Sequence, residues 1–123
     1  MIPVVLGSRG EALDWGMERR FFTPAQIRRL WLRDGGCTYP GCDAPPQWTD
    51  AHHLLHWTDH GPSDVDNGAL LCERHHTIVH TRRYAGRVVR DEQGERVEWD
   101  LARDSYDDLL ARRRASNAEP EPA

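Results

Sequence analysis

Two closely spaced pairs of potential metal ligands lie in the middle of this 123-residue chain. Cys37 and Cys42 enclose the residues TYPG, and Cys72 and His75 follow with a C-x2-H spacing. Two such pairs, well separated along a chain, together match the ligands of an ordinary structural zinc site. The three cysteines all belong to these pairs, and their odd number argues against a disulfide framework. The spacing therefore predicts a fold stabilised by one zinc ion, and three unconnected buried cysteines are the alternative.

The segment CERHHTIVH, residues 72–80, contains more histidine than this one site requires. If the segment is helical, each residue turns by about 100°. His75 then lies on the same side as Cys72, whereas His76 and His80, one turn apart, share the adjoining side. The pattern predicts that one helix serves two sites, although the spacing permits this division without requiring it.

The adjacent residues His52 and His53 are the candidate source of further ligands for a second ion. Successive side chains of a strand point to opposite faces. One of these histidines can then bind a metal ion while the other has a different role. The alternative is a strand with one packed and one exposed histidine.

Turn residues and apolar spacing predict a mixed α+β chain. A helix is predicted within residues 21–36, with Thr23 as N-cap, Pro24 at the first position and Gly35 at the end. Its apolar face is predicted to contain Ile27, Leu30 and Trp31. The elements predicted further along are strands within 47–57 and 69–72, a helix at 73–83, a β-hairpin at 87–99 and a C-terminal helix at 104–114.

The chain is predicted to form one domain at residues 23–114, with its core at 33–82. Residues 1–22 are assigned to a lead segment, and 115–123 have the composition of a disordered tail. No apolar run approaches the length of a membrane helix, and the first residues do not form a convincing signal peptide. The expected location is therefore the cytoplasm, with no membrane partner.

The charge pattern leaves nucleic acid open as a partner. The net charge of −4 argues mildly against it, but all 16 basic residues are arginine and many of them cluster. Acidic residues gather towards the C-terminal part, so the net charge averages regions of different sign. Solvated arginine-rich faces are the alternative explanation of these clusters.

Taken together, the segments CTYPGC, AHHLLHW, HGPSDVDN and LLCERHHTIVH closely resemble the HNH endonucleases. More narrowly, the chain looks like the HNH domain at the C-terminal end of actinobacterial DUF222 (13E12-repeat) proteins. The resemblance is tightest over residues 33–80. It implies a ββα-metal motif with a zinc knuckle, preceded by an α-helix and followed by a β-hairpin and a C-terminal helix.

The resemblance implies a role for each matching residue. His53 matches the general base, and His52 matches the metal-binding position just before it. Asn67 matches the central asparagine that orients the base, and His76 matches the last histidine, a catalytic metal ligand. His80 matches a position that is histidine in colicin-type nucleases, and is expected to be a ligand, a residue that supports one, or a packed end of the helix.

The structural zinc ligands of the family are matched by Cys37, Cys42, Cys72 and His75. Here His75 stands where cysteine is more usual. The family segment Gly-Gly-x-Thr reads HGPS in this chain, so His60 and Ser63 are departures from the pattern. His60 is expected in a surface loop, and His56 is expected to be structural or to support a ligand.

The implied function is metal-dependent hydrolysis of phosphodiester bonds in DNA. A neutral imidazole is a suitable base near pH 7, and a divalent ion can counter the charge on the leaving oxygen. Imidazole ligands suit zinc, nickel, manganese or cobalt better than magnesium, but Mg²⁺, Mn²⁺, Ni²⁺, Co²⁺ and Zn²⁺ all stay open. The candidate phosphate contacts are Arg28, Arg29, Arg33, Arg74, Arg82 and Arg83.

The second hypothesis is a non-catalytic zinc-binding module, derived from an HNH fold, that binds nucleic acid or protein. The joint presence of His52, His53, Asn67 and His76 favours the enzyme, because a binding module does not need this set. No small-molecule substrate is expected. In the family the module usually follows a long DUF222 region, so the chain is expected to be one domain of a longer protein.

Overall fold

This computed structural model describes residues 21–118, and the side chains of residues 21–116. Residues 1–20 of the predicted lead segment and 119–123 of the predicted tail lie outside the described residues. The elements are α1 (Pro24–Asp34), β1 (Thr49–His53), β2 (Gly68–Cys72), α2 (Glu73–Arg82), β3 (Ala85–Asp91), β4 (Gly94–Asp100) and α3 (Ser105–Ala118). The strands form two antiparallel pairs, β1–β2 and β3–β4, so the predicted α+β class is confirmed.

Helix α1 begins and ends at the predicted residues. Thr23 Oγ1 accepts a hydrogen bond from the Gln26 N–H at 3.1 Å, and the Gln26 side chain accepts one from the Thr23 N–H at 2.8 Å. This reciprocal capping satisfies two N–H groups that the first turn leaves without helical partners. Gly35 closes the helix in the left-handed conformation, with φ of 69°.

The apolar face of α1 differs from its prediction at one residue. Leu30 is fully buried, but Trp31 is 39% exposed, so Trp31 is not part of the buried face. The buried stripe continues from Leu30 onto Arg33 and Asp34, whose side chains are only 5% and 1% exposed. Because these positions lie three and four residues after Leu30, they take the core-facing direction and Trp31 points away from it.

Arg33 connects α1 to the segment that leads into β2. Its guanidinium forms an ion pair with Asp34 at 2.6 Å and donates to the carbonyl oxygens of Val65 and Gly68. Asp34 in turn accepts the Leu70 N–H at 3.1 Å. A buried charge is tolerated only when it is paired and hydrogen-bonded, as it is here. This placement corrects the prediction of Arg33 as a phosphate ligand, because its side chain is buried among contacts within the chain.

Strands β1 and β2 form a ribbon with a hydrophobic cluster on each side. Their register pairs Thr49 with Cys72 and His53 with Gly68. Leu70 packs with the cluster that contains Phe22 and Leu30, and Leu71 with the one that contains Val79 and Tyr84. Since neighbouring side chains of a strand point to opposite faces, the ribbon separates α1 from α2. Helix α2 follows β2 directly.

The β3–β4 hairpin and helix α3 pack against the unit formed by β1, β2 and α2. Trp99 on β4 donates its indole N–H to Thr38 Oγ1 at 2.9 Å. Tyr106 on α3 is fully buried. Helix α3 runs to Ala118 and so covers the first residues of the segment predicted as a tail from 115 onwards. None of the described helices is both long and apolar enough to cross a membrane.

Candidate metal centres

The first cluster lies between the knuckle loop, residues 37–44, and the start of α2. Its members are Cys37, Cys42, Cys72 and His75, and their ligand atoms all lie within 4.8 Å of one another. The Sγ atoms of Cys42 and Cys72 are 3.9 Å apart, and His75 Nδ1 lies 3.3 Å from Cys72 Sγ and 3.6 Å from Cys37 Sγ. On tetrahedral zinc, two sulfurs would be about 3.8 Å apart, and sulfur and nitrogen about 3.6 Å. This cluster could hold a metal ion, and its spacing is compatible with zinc.

The cysteines of this cluster differ in how readily they lose a proton. Burial raises the pKa of the Cys37 thiol to about 12. At Cys72 burial also raises the pKa, but hydrogen bonds led by the His75 backbone N–H outweigh burial and lower the pKa overall. The thiolate is the form that binds metal. Cys72, at the N-cap of α2, is therefore the easier of these two thiols to convert into a ligand.

A second cluster consists of imidazole rings that come from three parts of the chain. The ring centroid of His52, on β1, lies 5.1 Å from that of His76 and 5.0 Å from that of His80, both on α2. The Nε2 atoms of His76 and His80 are 3.1 Å apart. His56, in the turn after β1, brings its ring centroid within 5.4 Å of His52 and 4.9 Å of His80.

Two nitrogens of the second cluster indicate that it could hold an ion. Among the residues the structure describes, His52 Nε2 and His56 Nε2 are buried without a hydrogen-bond partner. Such atoms carry a free-energy cost and call for an explanation. The ligand atoms of His52, His56 and His80 lie within 4.8 Å of one another. A set of imidazole nitrogens suits zinc, nickel or cobalt better than magnesium.

Burial keeps these imidazoles in the neutral form that binds metal. It lowers the pKa of His52 to about 2 and that of His56 to about 4, and a charge on His80 adds to both effects. Burial also lowers the pKa of His76 and of His80. All four rings are therefore suited to bind an ion near neutral pH without first losing a proton.

His53, the predicted base, ends β1 and lines the same pocket as the second cluster. Its Nε2 lies 2.9 Å from Ser63 Oγ. Its ring packs against Phe22 at 4.6 Å between centroids. The ring is thus held from two sides, by a hydroxyl group and by the hydrophobic cluster next to α1. The alternation of β1 gives His52 and His53 separate surroundings, as expected for two different roles.

Asn67 shapes the loop that follows His53. Its Oδ1 accepts the Leu55 N–H at 2.8 Å, and its Nδ2 donates to the carbonyl oxygens of Leu55 at 3.0 Å and Pro62 at 2.9 Å. Gly61 lies inside this loop, where a Cβ atom would stand 1.7 Å from the Leu55 oxygen, so only glycine fits. These bonds hold the backbone of the loop between Leu55 and Pro62 in place.

The arginines predicted to contact phosphate are spread over several surfaces. Arg83 lines the histidine pocket, 5.0 Å above the Tyr106 ring and 2.6 Å from Asp107. The exposed members of the set are Arg28 and Arg29 on α1 and Arg74 and Arg82 on α2. Arg83 is therefore the member of the set whose position next to the histidines is closest to the expected role.

The rings of His52, His76 and His80 lie side by side, and the ligand atoms that lie within 4.8 Å of one another belong to His52, His80 and His56. His75 and His76 are adjacent in sequence, yet they belong to different clusters, as the helical spacing predicted. His60 is exposed in its loop, as expected. His56 is the member of the second cluster that sequence reasoning did not include. Its spacing of four residues from His52 was the available signal, but the intervening segment is a turn whose path the sequence does not define.

Comparison with known proteins places the chain beside uncharacterized mycobacterial proteins. It is 36% identical over 71 residues to uncharacterized protein Rv1128c of Mycobacterium tuberculosis, a match that covers 58% of this chain and 16% of that protein. It is 36% identical over 61 residues to uncharacterized protein Mb1179c of Mycobacterium bovis, covering 50% of this chain and 13% of that protein. The chain thus spans less than a fifth of these relatives. No family model matches it, and no solved structure matches it significantly.

Proposed function

We propose that this chain is a metal-dependent DNA endonuclease domain of the HNH type, with a ββα-metal motif formed by β1, β2 and α2. The observation that carries the proposal is one shared pocket. The imidazoles of His52, His76 and His80 lie together in it, and His53 also lines it. A binding module has no need to keep a separate imidazole beside a group of metal ligands. The antiparallel pairing of β1 with β2, followed directly by α2, supports the proposed motif.

In this proposal His53 removes the proton from the attacking water. Ser63 Oγ, 2.9 Å from His53 Nε2, fixes the orientation of the ring. Asn67 affects His53 indirectly. Its hydrogen bonds to Leu55 and Pro62 set the path of the loop that carries Ser63. General-base catalysis by a positioned side chain typically contributes a factor of about 10² to 10⁴ in rate.

The second cluster supplies the metal site of the proposed reaction. His52, His76 and His80 would hold a divalent ion through neutral imidazole nitrogens. When bound, the ion would stabilise negative charge on the leaving oxygen as a Lewis acid. Arg83 adds a guanidinium at the rim of the same pocket, where it can hold a phosphate group of the DNA backbone.

The first cluster supplies a structural zinc site in this proposal. Zn²⁺ held by Cys37, Cys42, Cys72 and His75 would join the knuckle loop to the first turn of α2. Since α2 also carries His76 and His80, the structural ion holds the helix that presents two ligands of the other site. The exposed arginines Arg28, Arg29, Arg74 and Arg82 are kept as candidate contacts for DNA.

Any activity of the whole protein also depends on parts outside this chain. Rv1128c is about six times as long as the region matched, since the match covers 16% of it. We propose that the chain works as the nuclease module of a longer protein, and that a DUF222 region accounts for part of the additional length. Any preference for a DNA sequence or form would then come from that region.

The test is a plasmid-nicking assay with purified protein across a panel of divalent metals. The parent protein should convert supercoiled plasmid into the nicked form when metal is added, and EDTA should stop the reaction. His53→Ala should lower the nicking rate by about 100-fold or more, because it removes the general base. Zinc content and thermal unfolding should match the parent, which separates loss of chemistry from loss of fold.

His60→Asn is the matched control for this experiment. His60 is exposed, and its left-handed backbone, with φ of 69°, is one that asparagine tolerates. This variant should nick as the parent does. If His53→Ala nicks as fast as the parent with every metal, the assigned base is wrong. If the parent nicks no DNA with any metal, the non-catalytic zinc-binding module becomes the better account.

A further inference from the structure

We propose that His56 is a direct ligand of the ion in the second cluster, where its ligand atom lies within 4.8 Å of those of His52 and His80, so that the site is built from imidazoles. Such a site takes a nitrogen-preferring ion such as Zn²⁺, Ni²⁺ or Co²⁺ and rejects Mg²⁺. The inference rests on the metal site of the proposed function, but not on nuclease activity, because metal binding alone tests it. It adds a ligand and a metal class to that site.

The position of His56 is the first argument. Its ring is buried, its Nε2 has no hydrogen-bond partner among the described residues, and the same is true of His52 Nε2. The ligand atoms of His52, His56 and His80 lie within 4.8 Å of one another. A histidine that only fills space would pair its buried nitrogens with a hydrogen-bond partner. A shared ion satisfies both unpaired nitrogens at once.

The way His56 is held is the second argument. Its ring stacks on Tyr106, with centroids 3.8 Å apart and planes within 12°. Its backbone N–H donates to Tyr106 Oη at 2.9 Å, and Tyr106 Oη donates to Asp59 at 2.6 Å. These contacts fix the ring plane without using its Nε2. Ligands held in place in this way lose little freedom when the ion binds, which favours affinity.

The chemistry of the donor set decides the class of ion. None of the described residues that line the pocket carries a carboxylate. Carboxylate, carbonyl and water oxygens are the ligands that magnesium and calcium prefer. Neutral imidazole ligands also bring no negative charge of their own to the doubly positive ion. Such a site attracts an anionic group, and a phosphodiester is one.

The test measures metal binding by protein whose structural site already contains one zinc per chain. Ni²⁺ is titrated by calorimetry into the parent protein and into His56→Phe. Phenylalanine keeps the stacking on Tyr106 and removes the nitrogen. The parent should bind one equivalent of Ni²⁺, and His56→Phe should bind it more than about 100-fold more weakly, because loss of a residue that only supports a ligand costs about 10- to 100-fold. An excess of Mg²⁺ should not displace the bound Ni²⁺.

Two further measurements make each outcome decisive. His60→Asn, with an exposed histidine changed, should bind Ni²⁺ as the parent does. Zinc content and thermal unfolding report whether His56→Phe is folded. Folded His56→Phe that binds Ni²⁺ within about 100-fold of the parental affinity overturns the inference, and so does displacement of Ni²⁺ by Mg²⁺. Ni²⁺ binding weakened beyond that limit in His56→Phe supports the inference even if the parent nicks no DNA. A failure of the proposed nuclease function can therefore be told apart from a failure of the proposed His56 ligand.

Discussion

The peptide bond between His75 and His76 separates two clusters of different chemistry. His75 stacks on Tyr39, with centroids 4.1 Å apart, and contributes Nδ1 to the cysteine cluster. His76 instead brings its Nε2 to 3.1 Å from that of His80. On a helix, neighbouring residues differ by about 100° in direction, so adjacent side chains cannot easily share one small ion. A single turn of α2 therefore contributes to both sites.

Cys42→Ser tests the structural site at the scale of one residue. We expect this variant to lose bound zinc and most of its resistance to unfolding. Structural zinc in small domains contributes an apparent binding free energy of about 10–16 kcal/mol. This exceeds or equals the whole stability of an ordinary domain, about 5–15 kcal/mol. The measurements are zinc per chain by elemental analysis and thermal unfolding by circular dichroism.

Asp43→Ser is the matched control, because Asp43 is exposed and adjoins Cys42 in the same loop. It should keep one zinc per chain and unfold near the parental temperature. Soluble Cys42→Ser protein with full zinc content would show that Cys42 is not a ligand. The other three residues of the cluster would then have to bind the ion with a different fourth partner.

At the scale of elements, helix α3 reaches the second cluster through one side chain. Tyr106 is fully buried, and its hydroxyl bridges the His56 N–H and the Asp59 carboxylate. Burial, followed by the bond to Asp59, raises the pKa of this hydroxyl above its usual value, so it stays protonated and can donate. The last helix therefore positions His56, although the two residues are far apart in sequence.

Tyr106→Phe tests this connection between elements. The variant keeps the stacking on His56 but leaves the His56 N–H and Asp59 without their partner. We expect it to lower the free energy of unfolding by about 1–3 kcal/mol, the cost of unsatisfied buried groups. We also expect weaker Ni²⁺ binding, because His56 is less firmly held. Urea unfolding and calorimetry measure the two effects.

Asp107→Asn, on the next residue of α3, is the control for this change. Asp107 forms an exposed ion pair with Arg83, and pairs of this kind contribute little to stability. Its unfolding midpoint in urea should stay close to that of the parent. Equal stability of Tyr106→Phe and the parent would mean that the hydroxyl bridge does not support the site.

The elements that could be predicted from the sequence are those whose signals are local. Thr23, Pro24 and Gly35 act on backbone groups a few residues away, so the limits of α1 could be read directly. The surroundings of Arg33 depend on Val65 and Gly68, more than thirty positions away, so the sequence did not show that its side chain is buried. His56 was missed as a member of the cluster for the same reason, since Tyr106 orients it across fifty residues.

Helix α2 links the two clusters, and we expect the histidine cluster to depend on the cysteine cluster but not the reverse. The cysteine cluster includes Cys72 and His75 at the start of α2, and the same helix carries His76 and His80 one turn apart. The histidine cluster, by contrast, depends on β1, on the turn that carries His56 and on α3. Loss of the structural ion should therefore disturb both sites. Loss of the second ion should leave the fold in place.

The buried histidines also make the stability of the whole molecule depend on pH. Burial, with smaller contributions from His80, Arg83 and His76 and an opposing one from Asp59, lowers the pKa of His56 to about 4. An unfolded histidine has a pKa of about 6.5. Between these values the unfolded chain binds a proton that the folded chain does not. The free energy of unfolding therefore falls as pH falls from 6.5 towards 4, by up to about 1.4 kcal/mol per pH unit for each such group.

His56→Phe should reduce this dependence, because it removes one of the groups that take up a proton on unfolding. Urea unfolding at a series of pH values between 6.5 and 4.5 gives the slope for protein that contains one zinc per chain and no second ion. The slope of His56→Phe should be lower by up to about 1.4 kcal/mol per pH unit. Carboxylates and the structural site titrate alike in both proteins, so the difference isolates His56. His60→Asn, which changes an exposed histidine, should keep the parental slope, and identical slopes in all three proteins would show that His56 does not stay neutral in the folded chain.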